Sequence, residues 1–265
     1  MRHPDPHFGY PTVSWKRAEP RATPSNASAA SPRFLRQGTL VLDTHVDAID
    51  LQTAVQRIFN WGSRHQSRFV ALCSMEALVL ATRDAKLHHG MSEADLTLAA
   101  DGGVAWSMRR EGQRQQQALK VQDVLWQHLE LAQQAGHPVH FHGGTPASLE
   151  HLLSKVRASF PLLQATGTPG TRQPPMASQD LSLVHEITAT GAPVVFLGLP
   201  HAEQARWAMA HRSQVRAVMV GLGPDFGMQE PALSHRVGTR AVFFARVLQS
   251  LLLGTPATHH DERRP

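Results

Sequence analysis

Short apolar runs alternate with segments of helical periodicity along most of the chain. Seven strands are predicted, at residues 39–43, 69–73, 96–100, 138–141, 163–166, 194–199 and 217–220. The segments between them place apolar residues three and four positions apart, which is the spacing of an amphipathic helix. Strands that alternate with helices indicate an α/β fold with a Rossmann-like, mostly parallel sheet and helices on both faces.

Two short segments carry more specific predictions. Ser74 follows a predicted strand and suits the N-cap position of a helix. The apolar spacing predicts that this helix buries Ala77, Leu78, Leu80 and Ala81. The glutamine-rich residues 113–117 are predicted to form an exposed turn.

The basic charge of the chain is concentrated near its N-terminus. The formal net charge is +5, and residues 1–37 contain six basic and two acidic side chains, a net charge of +4. A basic tail on an almost neutral body argues against a nucleic-acid-binding fold. Residues 1–37 lack apolar periodicity, which predicts a disordered tail, followed by an α/β domain at 38–253 and a second disordered tail at 254–265.

The apolar stretches are too short to span a bilayer, and the N-terminus lacks the apolar core of a signal peptide, which predicts a cytoplasmic protein. The segment 236–253, which starts at Arg236 and ends at Leu253, mixes arginines with apolar residues. One interpretation is a helix that docks on the inner face of the cytoplasmic membrane. The other is that its apolar face packs on the body of the protein or on a second subunit of a homo-oligomer.

The stretch SEADLTLAADGGVAWSMRR contains the main candidate for chemistry. Its apolar run delivers Asp101 to the end of a predicted strand, and Gly102 and Gly103 follow at once. In open α/β sheets, substrates bind at the carboxyl ends of the strands, where a carboxylate beside flexible backbone can act on a ligand. Aspartate is also a common N-cap, so Asp101 has a purely structural interpretation too.

Glycine-containing turns follow several other predicted strands. They contain Gly143, Gly144, Gly198, Gly221 and Gly223. Because parallel strands end at one sheet edge, these turns are expected to bring backbone close to a nucleotide diphosphate. None forms a complete dinucleotide or Walker motif, and tight turns need glycine even without a ligand, so both interpretations stay open.

A metal site has little support in the sequence. His140 and His142 alternate on a predicted strand and therefore point to one face, as two metal ligands do. No third ligand has a suitable spacing, so we predict no metal and no cofactor. Cys73 is the only cysteine, which excludes an internal disulfide, and its apolar surroundings predict a buried structural thiol.

Six segments of the chain resemble those of the WecG/TagA/CpsF glycosyltransferases (glycosyltransferase family 26). They are HVDAIDLQTAVQRIF, CSMEALVLATRD, EADLTLAADGGVAW, HFHGGTPASLEHLLSKVRASFP, VVFLGLPHAEQARW and VMVGLGPDFG. The similarity extends from about residue 39 to residue 252 and keeps the family's order and spacing. It implies an inverting enzyme with a Rossmann-like sheet and no metal requirement.

The resemblance also implies a reaction. Such enzymes move an N-acetylhexosamine-type sugar, similar to N-acetylmannosamine, from a UDP donor to a polyprenyl-diphosphate-linked acceptor. The products enter bacterial surface polysaccharides or exopolysaccharides. A UDP-sugar and a lipid-linked acceptor are therefore the expected partners, and nucleic acid is not.

Individual residues acquire implied roles from the same resemblance. Asp101 matches the family's proposed catalytic base, and an inverting transfer needs a group that takes the proton of the acceptor hydroxyl. Lys120 falls, after a shift of one residue, where the family has an arginine that stabilises the leaving diphosphate. Gln204 matches a glutamine expected to contact sugar or phosphate, while Ser74 and Asp225 fall at or beside further substrate-binding positions.

Several positions depart from the family's pattern. Leu72 and Ser74 replace threonine and asparagine, and Ala205 replaces glutamate. Gly227 stands at an aspartate position, so that aspartate is lost unless Asp225 substitutes for it. These departures leave a second function open, that of a catalytically impaired homologue that binds nucleotide sugars or acts as a scaffold.

Overall fold

The computed structural model describes residues 36–170, 177–228 and 233–253. Its strands are β1 (Gly38–Val41), β2 (Thr44–Asp47), β3 (Arg68–Cys73), β4 (Leu96–Ala99), β5 (Val139–Gly143), β6 (Ala165–Thr168), β7 (Val194–Gly198) and β8 (Val218–Gly221). Its helices are α1 (Leu51–Ser63), α2 (Met75–Ala81), α3 (Ala85–Ser92), α4 (Gly102–Arg110), α5 (Val121–Ala135), α6 (Pro146–Ser159), α7 (Ala177–Ala189), α8 (His201–His211) and α9 (Leu233–Leu253). The predicted tails lie outside the described residues, apart from Arg36 and Gln37.

Six strands form one sheet in the order β4-β3-β8-β7-β5-β6, and all five pairings are parallel. One face is covered by side chains of α1, α5 and α6, and the other by α2, α3, α4, α7, α8 and α9. Strands covered on both faces are mostly apolar. Strands β4, β5, β7 and β8 are buried at every position, including the polar residues Thr97, His140 and His142. The predicted α/β fold, with a parallel sheet and helices on both faces, is confirmed.

The sheet has a topological switch point between β5 and β7. The chain leaves β5 through α6 toward β6, whereas it leaves β7 through α8 toward β8 on the other side. Since α6 and α8 pack on opposite faces, their connections part above the carboxyl ends of β5 and β7. Open α/β sheets bind ligands in the crevice that such a parting creates.

The outer side of β4 is covered by an antiparallel hairpin of β1 and β2, of which the sequence predicted only the first strand. The Asp47 carboxylate accepts a hydrogen bond of 2.6 Å from the Thr97 amide of β4. It also pairs with the guanidinium of Arg36, a residue that the sequence assigned to the N-terminal tail. The paired carboxylate thus joins the hairpin to the sheet and satisfies a backbone group of β4 that would otherwise lack a partner.

Two local predictions are wrong at single residues, and one helix was missed. Leu80 is 44% exposed, because α2 ends at Ala81 and turns only part of its surface to the core. Gln116 is buried. Its side-chain oxygen accepts a hydrogen bond from the Ile49 N–H, and its side-chain nitrogen donates one to the Ile49 carbonyl. Helix α3 was not predicted, because polar residues interrupt the pattern of its buried apolar positions Leu87 and Met91. Cys73 is buried, as expected, and burial raises the pKa of its thiol.

Two histidines lie inside the fold without a full set of hydrogen-bond partners. His128 packs its ring on Phe196 at 5.5 Å between centroids, and its Nδ1 has no partner. His140 bonds Thr166 through Nδ1 at 2.9 Å, while its buried Nε2 has none. Burial disfavours the charged ring and lowers the pKa of each histidine to about 4.

We expect the free energy of unfolding to fall as the pH is lowered from about 6.5 to about 4, because the unfolded chain then binds more protons than the native protein. The loss approaches about 1.4 kcal/mol per pH unit for each of the two histidines. Above pH 6.5 their contribution is complete and constant. Urea unfolding at several pH values measures how steeply the free energy of unfolding falls with pH. His128→Leu should remove about half of the part of this slope that the two histidines contribute. An unchanged slope in that variant contradicts the assignment to His128.

Candidate active site

Asp101 lies at the carboxyl end of β4, where the first turns of two helices meet. Its Oδ1 accepts hydrogen bonds from the amides of Gly103 and Val104, both at 3.0 Å, and so caps α4. Its Oδ2 accepts a hydrogen bond of 2.7 Å from the amide of Met75, the first residue of α2. The interpretation of Asp101 as an N-cap is therefore confirmed, and the same carboxylate also serves a second helix.

The cap leaves the Asp101 carboxylate one acceptor position. A carboxylate has about four lone-pair sites, two on each oxygen, and three are used here. The free site is on Oδ2, which within the described part of the chain accepts only the Met75 amide. Asp101 is half-buried, and Gly102 beside it has open space where a side chain would stand. One oxygen therefore keeps the capacity to take a proton from a group in the adjoining space.

Lys120 begins α5 at the same end of β4. The amide of Leu119 donates to the Ala99 carbonyl at 2.7 Å, which brings this segment alongside the last residue of the strand. Lys120 is exposed, and no side chain caps the helix that it precedes. A cation and an uncapped helix N-terminus together favour an anion at this position.

The glycines at the switch point allow neighbouring parts of the protein itself to pack closely. A Cβ on Gly143 would lie 2.7 Å from the carbonyl carbon of Gly198, and one on Gly198 would lie 2.6 Å from the Phe226 ring. Gly143 and Gly144 also have φ angles of +117° and +65°, which favour glycine. Phe226 is fully buried and packs its ring against Phe141 of β5 and Gly198 of β7. Close packing thus explains these glycines, and their contact with substrate stays a prediction.

Asp225 and Phe226 form a strained turn that we call the PDFG turn (Pro224–Gly227). Their φ angles are +47° and +60°, a region that residues other than glycine rarely occupy. The Asp225 carboxylate accepts hydrogen bonds from the Ser148 hydroxyl at 2.7 Å and from the Thr145 amide at 3.3 Å, at the start of α6. Asp225 therefore joins the turn to α6 by hydrogen bonds, and its contact with substrate stays a prediction.

Gln204 holds the turn that follows β8. It is buried, and its Oε1 accepts a hydrogen bond of 3.2 Å from the Gly223 amide. Its Nε2 lies 3.2 Å from Nδ1 of His201, a residue that sequence reasoning missed. The available signal was the position of His201 at the start of a helix, three residues before Gln204.

The structure distributes the predicted residues along one sheet edge in three groups. Ser74, Asp101, Gly102, Gly103 and Lys120 lie near the ends of β3 and β4. Gly221, Gly223 and Gln204 lie at β8, and Gly143, Gly144, Gly198 and Asp225 lie at β7 and β5. Strands β4 and β7 are three spacings apart, roughly 14 Å. Asp101 and the switch-point glycines thus share the edge without touching.

The positions that the sequence analysis expects to depart from the family's pattern each have a local structural role. Ala205 lies against Gly90, where a Cβ would come within 2.7 Å of the Ala205 Cβ, so the contact between α3 and α8 has no room for glutamate. Leu72 is buried in the core. Ser74 caps α2 by accepting from the Ala77 amide at 3.1 Å. Gly227 has a φ angle of +66° and lies close to Val121 and to the Leu222 carbonyl.

His140 and His142 occupy alternate positions of β5, and both are buried. Each bonds the neighbouring strand β6, His140 through Thr166 and His142 through the Thr168 carbonyl. Within the described ranges, no three side chains of histidine, cysteine, aspartate or glutamate cluster as metal ligands would. The two histidines therefore have a structural explanation in the pairing of β5 with β6.

Removal of the Asp101 carboxylate should cost more stability than removal of an ordinary cap. Asp101→Ala leaves three amides without an acceptor, and we expect a loss of about 2 kcal/mol in the free energy of unfolding. Asp84→Ala is the matched control, because Asp84 caps α3 through two amides, and about 1 kcal/mol is expected. Urea denaturation of both variants measures the difference, and equal losses would show that the bond to Met75 contributes nothing.

Comparison with known proteins agrees with this architecture. Residues 39–228 match the model of the glycosyl transferase WecG/TagA/CpsF family. No curated protein sequence matches the chain significantly. The matched region runs from β1 to the PDFG turn, includes Asp101, Lys120 and Gln204, and covers more than two thirds of the 265 residues. The chain therefore belongs to the WecG/TagA/CpsF family of glycosyltransferases.

Proposed function

We propose that the protein is an inverting glycosyltransferase that moves an N-acetylhexosamine-type sugar, similar to N-acetylmannosamine, from UDP to a polyprenyl-diphosphate-linked acceptor. The reaction would serve the synthesis of a bacterial surface polysaccharide or exopolysaccharide. The observation that carries the proposal is the Asp101 carboxylate, which has one free acceptor site at the carboxyl edge of the sheet. Membership in the glycosyltransferase family supplies the class of reaction.

In this reaction, Asp101 is the general base. The acceptor hydroxyl attacks the anomeric carbon of the sugar while the bond from that carbon to the diphosphate oxygen breaks, which inverts the configuration. The hydroxyl proton passes to Oδ2 of Asp101, and UDP leaves with the bonding electron pair. The three amides that bind the carboxylate fix its orientation, so that Oδ2 needs no rearrangement to accept the proton.

Lys120 would stabilise the negative charge that develops on the departing UDP. It is exposed at the uncapped start of α5 and lies at the same strand end as Asp101. A lysine supplies charge without the bidentate geometry of arginine. This arrangement needs no metal ion, and a UDP-sugar is then the only small molecule that the reaction requires besides the acceptor.

The donor is proposed to extend along the sheet edge. A nucleoside near the switch point between β5 and β7 and a sugar beside Asp101 are separated by about three strands, roughly 14 Å. A nucleotide sugar is an elongated molecule, with two phosphates between its ends. In this arrangement, the diphosphate passes above the end of β8.

A second candidate function is that of a nucleotide-sugar-binding homologue without transferase activity. One observation favours it, namely that Gln204, Asp225 and Asp101 all use their polar groups to hold the protein together. A residue held in this way can keep a binding site in shape even where no reaction occurs.

A lipid-linked acceptor requires access to a membrane, and we propose that α9 and its neighbours provide it. None of the described helices has the length and apolar character needed to pass through a bilayer. Helix α9 packs on α2 and α4, and this region exposes Leu248 (47%) on α9 and Leu80 (44%) on α2. Arg240 is exposed on α9, and exposed apolar residues beside arginine suit the interface of an anionic membrane.

Asp101→Asn should abolish transfer while UDP still binds. The amide keeps a cap for α4 and loses the basic oxygen, so we expect turnover to fall at least about 100-fold. The assay combines a panel of UDP-N-acetylhexosamines with a short-chain polyprenyl-diphosphate-linked sugar, and calorimetry measures UDP affinity. Asp84→Asn is the matched control and should retain activity. Unchanged turnover in Asp101→Asn removes Asp101 from the mechanism, and UDP binding without transfer in the wild type favours the second candidate function.

Charge reversal on α9 should weaken membrane binding. We expect Arg240→Glu combined with Leu248→Asp to reduce binding to vesicles of phosphatidylglycerol and phosphatidylcholine roughly tenfold or more, since each basic residue near an anionic surface contributes about 1 kcal/mol. Sedimentation with vesicles measures this effect, which high salt should diminish. Leu162→Asp is the control, because Leu162 is 83% exposed before β6. Equal binding of the double variant and the wild type contradicts docking through α9.

A further inference from the structure

A chain of hydrogen bonds fixes the tautomer of His201. The Gly223 amide can only donate, so the Gln204 oxygen that it contacts at 3.2 Å must be the carbonyl Oε1. The Gln204 Nε2 therefore faces Nδ1 of His201, at 3.2 Å. Because an amide nitrogen also only donates, Nδ1 must accept, and the ring proton lies on Nε2.

The protonated Nε2 is free to bind a ligand. His201 is half-buried, and among the described residues nothing bonds its Nε2. The ring edge formed by Cε1 and Nε2 lies over Gly223, 3.4 Å and 3.9 Å from the position of a Cβ on that glycine. Burial lowers the pKa of His201, against an opposing effect of the Glu76 carboxylate on α2, so the ring is a neutral donor at neutral pH.

The helix that carries His201 lacks the side-chain cap that three other helices at the same sheet edge have. Helices α2, α4 and α6 are capped by the side chains of Ser74, Asp101 and Thr145. Helix α8 follows Pro200 and has no side-chain cap. The amides of Glu203 and Gln204 donate to the Pro200 carbonyl, which leaves, among the described residues, the amides of His201 and Ala202 beside the His201 ring. Both kinds of donor, amide and ring N–H, suit an anionic oxygen.

We propose that His201 donates a hydrogen bond from Nε2 to a phosphate oxygen of the donor's diphosphate. The inference rests on the proposed UDP donor and adds a binding residue to it. His201 lies at β8, between the switch point at β5 and β7 and Asp101 at β4. In a donor that extends along this edge, the diphosphate is the part that lies above β8.

The test compares the affinities of UDP and uridine by calorimetry. His201→Phe keeps a ring and removes the donor, so UDP affinity should fall about tenfold to 100-fold, the effect of a hydrogen bond to a charged group. Uridine affinity should stay the same, because uridine lacks the diphosphate. His201→Gln places an amide donor near the position of Nε2 and should restore most of the UDP affinity. His185→Phe, at an exposed position of α7, is the control for loss of a histidine.

The outcomes separate this inference from the proposed function. Equal weakening of UDP and uridine in His201→Phe overturns the inference, because the histidine then acts on the shape of the site. Unchanged UDP affinity in that variant overturns it as well, while the UDP donor stands. Failure of the wild-type protein to bind UDP overturns both the inference and the proposed donor.

Discussion

The Asp101 carboxylate ties the first turns of α2 and α4 to one point. It accepts the amides of Met75, Gly103 and Val104, and Gly103 lets the two helices approach because a Cβ there would strike the Met75 side chain. These helices follow the neighbouring strands β3 and β4, so the carboxylate also fixes the end of the sheet. The partial positive charges of two helix N-termini meet at this anion.

Structural and catalytic roles for Asp101 are therefore compatible. The partners that hold the carboxylate are backbone amides, which cannot titrate or swing away, and they use three of about four acceptor sites. A base that is held by flexible side chains loses part of its effect to motion, whereas this one is oriented before a substrate arrives.

The sequence predicted the parallel sheet and the location of Asp101 because both depend on local patterns. Mostly apolar runs of four to six residues mark β3, β4, β7 and β8, and Asp101 follows soon after one of them. The contacts of Gln116 and Gln204 join residues far apart or across turns, and no periodicity encodes them. Leu80 lies on the apolar stripe of α2, yet burial depends on which neighbour covers that stripe. Strand β2 and Arg36 were missed because the hairpin is short and its stabilising ion pair is formed only in the folded protein.

The positions that the sequence analysis expects to depart from the family's pattern differ in their structural surroundings. Ala205 faces α3 and meets Gly90 at a contact between two helices, so its small side chain reflects close packing and carries no information about substrate. Gly227 and Asp225 belong to the PDFG turn, which has positive φ angles and is joined to α6 by the bond from the Ser148 hydroxyl to the Asp225 carboxylate. Ser74 caps α2 beside Asp101, at the carboxyl edge of the sheet. Close packing therefore explains Ala205 and the buried Leu72, whereas hydrogen bonds at the sheet edge hold the side chains of Ser74 and Asp225.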